Sequence, residues 1–309
     1  MKWGVGMKYY DFSTGMEQEQ VFFDSRQEKN VYRTPGFSCA AYLDLYDGNS
    51  CLWHWHDEME AGYVTEGELT VFVNDLQYTL RPGDGIFVNA GVLHSYSGIE
   101  GRQTAFANLV FLPSLVYGSK ESIFWTDYVQ PLTGSFRLSH VVFTEHIAWQ
   151  AGVLGSVRKA FQLFRPMEAG NEFAVRTYLS ELILAVCRNC PLQRQEQGQN
   201  VTQIRRMQNM LAFMESHYME PIRLQHIADS AGISCRECLR IFHDVARTSP
   251  KRYLNTLRLQ KAKQLLAETT VPVSQICVCC GFADQSYFTK MFRQQFGMPP
   301  GAFRQQEQG

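Results

Sequence analysis

The chain has 309 residues, enough for about two domains. Its composition, 45% hydrophobic and 19% charged, excludes a disordered or fibrous chain, and no apolar run is long enough to span a bilayer. The net charge of −1 hides an asymmetry: from Val201 onward 14 Lys and Arg face 8 Asp and Glu, a net of +6, against −7 for the first 200 residues, so only the back of the chain suits a polyanion.

The opening stretch "MKWGVGMKYYDFSTG" lacks the apolar core of a signal peptide, and Met7 offers an alternative start. Nine cysteines without a regular framework point to reduced thiols in a cytoplasm. Four short segments then read as strands: "FSCAAYLDLY" (37–46), "ELTVFVND" (68–75), "GIFVNA" (85–90) and "TAFANLVFL" (104–112). They are rich in β-branched and aromatic residues and are broken by "DGNS", Asn74-Asp75 and "RPGDG". Closely spaced short strands predict a sandwich or barrel.

The period changes near residue 145. Ile147, Leu154, Val157, Phe161 and Phe164, then Val175, Leu179, Leu182, Ile183 and Val186, mark two amphipathic helices separated by Pro166 and Gly170. They are expected to pack on the barrel, and a helix pair of this kind also suits a two-fold dimer contact. "CPLQRQEQGQN" (190–200) is polar and aperiodic and reads as a linker.

The back half is helical and repeats itself. "LQHIADSAGISCRECLRIFHDVARTSPKRYL" from Leu224 answers "VSQICVCCGFADQSYFTKMFRQQFGMPPGAF" from Val273. Gly232 and Gly281 are 49 apart; Phe242 and Phe292, Pro250 and Pro300, and Tyr253 and Phe303 are 50 apart, so one extra residue lies in the second turn. Each unit is a short apolar helix, a Gly turn and a second helix, the helix-turn-helix layout, with Ile227, Ala231, Ile233 and Ile241 facing the core of the first. The second helices, from Ser234 and Asp284, present Arg236 and Arg240 in the first unit and Gln285, Ser286, Thr289 and Lys290 in the second, with Arg293 near the helix end. Arg and Lys suit guanine or phosphate and Gln suits adenine. Cys277 and Cys280 stand where the first unit has Ala228 and Ala231, so they read as small buried hydrophobes. Cys235 and Cys238 form a C-x-x-C without a second pair of ligands.

"LQHIADSAGIS…LRIF", "SPKRYLNTLRLQKAKQLL" and "CGFADQSYFTKMFRQQFGMPPGAFR" resemble the DNA-binding domain of AraC-type transcription regulators over about a third of the chain. The resemblance implies two helix-turn-helix units on a shared helix, here Pro250 to Glu268, reading successive major-groove turns of a double-stranded operator.

Gly48-x5-His54-x-His56-x3-Glu60-x6-Gly67 matches the first cupin motif at every spacing. Gly83-x5-Asn89-x-Gly91-x2-His94 resembles the second, with Asn89 for its proline and Gly98 for its closing asparagine. The likeness covers about residues 35–112 and implies a double-stranded β-helix barrel, with His54 and His56 on one strand face and Glu60 and His94 on neighbouring strands. Three readings stay open. His54, His56, Glu60 and His94 can hold a divalent metal; they can hydrogen-bond a small polar effector such as a sugar, with Tyr63 and Tyr96 in the ligand pocket and Trp53 and Trp55 near it; or a histidine is structural. Trp55 and Asp57 alternate with the ligand residues and are expected to face outward.

The expected architecture is multidomain α and β: a cupin sensor (1–143), a helical pair suited to dimerisation (144–190), a linker (191–200) and an all-α DNA-binding domain (201–309). The expected function is that of a cytoplasmic, homodimeric regulator, not an enzyme, whose small-molecule effector shifts the populations of DNA-binding states, with RNA polymerase as a partner if it activates. The alternative is a metal-dependent cupin enzyme of oxygenase or isomerase type carrying an attached helical domain, for which the complete His/Glu set speaks.

Overall fold

The computed structural model describes residues 8–11, 16–19, 36–48, 50–133, 138–164, 168–190 and 199–308. Met7 and residues 191–198 of the expected linker lie outside them. The chain folds as two units, one from Thr202 on and one made of the described residues before it.

The first unit is built on antiparallel strands: β1 Lys8–Asp11, β2 Met16–Glu19, β3 Cys39–Asp47, β4 Met59–Glu66, β5 Leu69–Val73, β6 Leu76–Leu80, β7 Gly85–Val88, β8 His94–Gly98, β9 Gln103–Phe111 and β10 His140–Phe143. Seven of them form one sheet in the order β10-β7-β4-β9-β3-β1-β2, and β6-β5-β8 form a second. The segment between β3 and β4 bridges onto β8, Ser50 with Ser97 and His54 with His94. Asn74-Asp75 makes the tight turn between β5 and β6, with Asn74 at φ 54°, a conformation Asn tolerates. All four strands expected from the sequence are present within two residues or so at each end, and β1, β2, β4, β6, β8 and β10 are added to them.

Strand alternation sends Met59, Ala61, Phe87, Ala107, Leu109 and Phe111 to one face of the large sheet. After α1 Ser114–Tyr117, a π-helical turn at Phe124–Val129 and α2 Gln130–Thr133, the helical pair covers that face. It consists of α3 Ala148–Gln162 and α4 Asn171–Asn189. Val153, Leu154, Val157, Ala160 and Phe161 of α3 join Val175, Leu179, Leu182, Ile183 and Val186 of α4 in one core with the strand residues. The helices therefore pack on the barrel as their period predicts, except that Ile147 precedes α3 and stays exposed. Gly85 allows the close approach: a Cβ there would lie 2.6 Å from Leu154 Cδ2.

The second unit is all helical: α5 Gln199–His217, α6 Leu224–Ser230, α7 Cys235–Ala246, α8 Pro250–Glu268, α9 Val273–Cys279, α10 Gln285–Phe296 and α11 Pro300–Gln308. The internal repeat is reproduced in packing. Phe242 meets Tyr253 with ring centroids 5.9 Å apart at 66°, and fifty residues later Phe292 meets Phe303 at 5.8 Å and 61°. Ser234, Ser249 and Asp284 cap α7, α8 and α10 by accepting from the backbone N–H of Glu237, Arg252 and Tyr287. Ala228 and Cys277 occupy the same buried place in the two units, and Cys280 is buried as well. Burial pushes the Cys280 thiol up to about 12, as expected of a small hydrophobe.

Candidate functional site

His54 and His56 do not lie on a regular strand, as the spacing predicts; they sit on the segment that leads into β4. His54 and His94 exchange backbone hydrogen bonds of 3.0 Å in both directions, and the Gly91 N–H donates to the His56 carbonyl at 2.7 Å. Gly91, at φ 72°, makes the turn that permits this. The result is that His54, His56, His94 and Glu60 all become buried at one place. Imidazole centroids stand 4.2 Å apart for His54 and His94, 5.1 Å for His56 and His94, and 5.9 Å for His54 and His56.

Each imidazole uses Nδ1 against a backbone carbonyl: His54 with Leu52 at 2.8 Å, His56 with Glu58 at 3.0 Å and His94 with Val92 at 2.8 Å. A carbonyl only accepts, so Nδ1 carries a proton in all three, and Nε2 of His56 and His94 is directed at Glu60. The three rings each offer a ligand atom within 4.8 Å of the others. Glu60 Oε2 lies 3.5 Å from His56 Nε2 and 3.3 Å from His94 Nε2. Burial pushes the Glu60 carboxyl up, but contacts with His56 and His94 outweigh it and hold the group below the usual carboxylate range. Burial first, then the charges of His94 and His56, pulls His54 well below the usual imidazole range, so it is neutral. The three imidazoles converge, with the Glu60 carboxylate beside His56 and His94, and fit a divalent ion of the zinc or iron type, with Zn–N bonds of about 2.0–2.1 Å giving tetrahedral edges of about 3.4 Å. Fixing Nδ1–H on a carbonyl is the usual outer support of such a ligand.

Of the two tyrosines placed with this set by sequence, one belongs there. Tyr96 is buried on β8, 5.5 Å from the His94 ring and 5.2 Å from Phe106. Tyr63 does not belong. It is three residues after Glu60 on β4, so strand alternation turns it to the other face. There it packs on Phe161 at 6.1 Å, with the Arg158 guanidinium 5.3 Å above its ring. Trp53 is buried against Phe72, Trp55 is half-buried and Asp57 is exposed.

Sequence reasoning missed Asp44, Tyr46 and Asn108. Asn108 on β9 donates to Asp44 Oδ2 at 2.6 Å, and the buried Tyr46 hydroxyl and Asn108 Oδ1 have no hydrogen-bond partner. Their signal was present, as polar residues at alternate positions of otherwise apolar strands. The two departures from the cupin pattern also have structural roles. Asn89 donates to the Leu132 and Leu138 carbonyls at 2.7 and 2.9 Å and so straps a later segment to β7. At Gly98 a Cβ would lie 2.5 Å from Tyr46 Cβ, which leaves no room for asparagine.

In the helical unit, Arg236 and Arg240 are exposed on α7. Gln285, Ser286, Lys290 and Arg293 are exposed on α10, and Thr289 is half-buried beside them. The α10 residues line one open groove with Gln294, Gly297 and Pro299. Arg240 is not free: it pairs with Glu237 and Asp244 on its own helix. Cys238 is buried, and Cys235 donates to Gln225 Oε1 at 3.2 Å, so the C-x-x-C pair is taken up in helix packing.

Known proteins agree with this division. Residues 38–186 match the AraC-like ligand binding domain and residues 227–306 match a helix-turn-helix domain. The HTH-type transcriptional regulator YdeC of Bacillus subtilis is 28% identical over 92% of this chain and 97% of its own length. The HTH-type transcriptional activator RhaS of Escherichia fergusonii is 26% identical over 82% of this chain and 87% of its own. A solved AraC-type DNA-binding structure from Chromobacterium violaceum is 32% identical over 33% of this chain and 92% of that one, with a TM-score of 0.32. The relatives are regulators and activators of transcription rather than enzymes. The chain belongs to the AraC-type transcription regulators, as a DNA-binding protein controlled through an N-terminal ligand-binding domain.

Proposed function

We propose that the control site of this regulator is the buried set His54, His56, Glu60 and His94, and that it takes a divalent transition metal ion. The observation that carries the reading is the convergence of three buried imidazoles, each with Nδ1 committed to a carbonyl and with ligand atoms within 4.8 Å of one another, and with Nε2 of His56 and His94 turned toward Glu60. A cation at this point would balance the buried Glu60 carboxylate and take the imidazole nitrogens beside it. A bound ion would supply Lewis acidity and an attachment point for an oxygen-bearing effector. A second reading is a metal-free pocket for a polyhydroxylated molecule such as a carbohydrate. It is favoured by the unpaired Tyr46 hydroxyl and Asn108 Oδ1, with Tyr96 as a stacking surface.

The rest of the reading follows the chain. Residues 1–143 act as sensor, 144–190 as a helical pair that holds a homodimer, and 201–309 as the operator-binding domain, joined through 191–200. Arg236, Arg240, Gln285, Ser286, Thr289, Lys290 and Arg293 contact double-stranded DNA. The protein works in the cytoplasm, and RNA polymerase is its partner where it activates; among the described residues no helix is long and apolar enough to cross a membrane.

Metal content measured by mass spectrometry, on protein purified without a metal-affinity column, separates the two readings. About one ion per chain in the wild type, lost in His54→Ala/His94→Ala, supports the metal site. Metal-free protein from both would leave the carbohydrate-type pocket.

A further inference from the structure

The two recognition helices are the same length and align residue for residue at an offset of fifty, Cys235–Ala246 with Gln285–Phe296. Their charge does not repeat. Helix α7 carries Arg236 and Arg240 together with Glu237 and Asp244, whereas α10 carries Lys290 and Arg293 and no acidic residue. Where the second unit has Tyr287 and Gln294, the first has Glu237 and Asp244.

Those two carboxylates hold Arg240 from both ends. Arg240 donates from Nε to Glu237 Oε2 at 3.0 Å, from Nη2 to Glu237 Oε1 at 2.7 Å and from Nη1 to Asp244 Oδ2 at 3.2 Å. Arg206 of α5 adds a contact of 3.6 Å to Glu237 Oε1, which fixes the carboxylate in turn. Three of the five N–H donors of the guanidinium are thus engaged, and two remain, the number a bidentate contact to guanine needs. A carboxylate on this face repels every phosphate and suits only a donor such as the cytosine amino group.

We infer that Glu237 is a specificity-determining residue: it fixes Arg240 as a base reader and makes the first recognition helix electrically neutral, so that α10 alone carries the sequence-independent grip on the phosphate backbone. The first unit then adds little affinity for arbitrary DNA and much of the discrimination between sequences. The second unit, with Lys290 and Arg293 unopposed by acidic residues of its own helix, supplies affinity wherever the duplex passes.

Two measurements on the full-length protein test the division. The first is fluorescence anisotropy on a labelled duplex of scrambled sequence, about 30 base pairs or three helical turns long, over a KCl series. Lys290→Met is expected to weaken binding and flatten the log–log salt slope by about 1. Arg240→Met is expected to leave the slope unchanged, and Glu237→Gln to tighten binding to the scrambled duplex by about threefold to tenfold. The second is selection from a random duplex pool. Glu237→Gln should lose base preference at one or two adjacent positions of one half of the wild-type motif and keep the other half. The inference is overturned if Arg240→Met flattens the salt slope as Lys290→Met does, or if Glu237→Gln selects the wild-type motif. Glu237 is partly exposed, so its replacement leaves the core of the unit intact.

Discussion

Glu60 Oε2 lies 3.3 Å from His94 Nε2, and the two residues belong to different sheets. Glu60 is on β4, an interior strand of the seven-stranded sheet; His94 opens β8 of the three-stranded one. The outer face of β4 packs on the helical pair through Met59, Ala61 and Tyr63. A ligand held between Glu60 and His94 therefore acts on the joint between the sheets and, one residue away, on the surface under α3. That is the physical route by which occupancy can bias the domain between states.

Glu60→Gln keeps the shape of the side chain and removes its charge. Metal affinity, measured by competition with a chelating dye, is expected to fall by at least about tenfold. Unchanged affinity would remove Glu60 from the ligand set.

Tyr63→Ala separates packing from ligand binding. Tyr63 is half-buried between Phe161 and Arg158, so its loss is expected to destabilise the first unit by about 2 kcal/mol in urea unfolding. Metal binding by the folded variant is expected to match the wild type. A fall in metal affinity without a fall in stability would place Tyr63 in the pocket after all.

Gly232 and Gly281 make the equivalent turns, at φ 65° and 79°, but differ in surroundings. A Cβ at Gly232 meets nothing within 4 Å, whereas at Gly281 it would strike the Tyr218 carbonyl and lie 2.9 Å from the Arg258 guanidinium. Arg258 itself donates to the carbonyls of Tyr218 and Glu220 at 2.8 and 2.7 Å. Gly232→Ala is expected to cost about 1–2 kcal/mol, the backbone cost alone, and Gly281→Ala clearly more. Calorimetric unfolding of the two variants checks the order; equal losses would contradict it.

Lys261 and Glu215 form a 2.7 Å ion pair between α8 and α5, with Glu215 almost fully buried. Lys261→Met removes the cation beside a buried carboxylate and is expected to cost about 3–5 kcal/mol. Lys261→Met/Glu215→Leu should regain most of that, as read from the urea midpoint. A double variant as unstable as the single one would show that the pair is not the cause.

The helical unit was the more legible part of the sequence, because its signals are local. Ser234, Ser249-Pro250 and Asp284 mark helix starts within a few residues of the helices they cap, and α8 runs from Pro250 to Glu268 as the resemblance implies. The barrel was read less completely. Strand β8, "HSYSG", has polar residues on both faces because its inner side lines a polar interior, so the usual apolar alternation is missing. Strand β4 carries Glu60 inward and Tyr63 outward, and adjacency in sequence gave Tyr63 to the wrong face. The spacing of His54 and His56 identified the set but not its geometry. Their convergence depends on the pairing of His54 with His94, forty residues away, which no local pattern encodes.

The most direct test is the coupling between the site and DNA. The affinity of the full-length protein for a duplex carrying its selected motif is measured after chelator treatment and after reloading with zinc(II) or iron(II), for the wild type and for His54→Ala/His94→Ala. The account predicts a shift of about tenfold or more in the wild type, within the usual range of allosteric coupling, and none in the variant. Equal affinity of metal-free and metal-loaded wild type would contradict it.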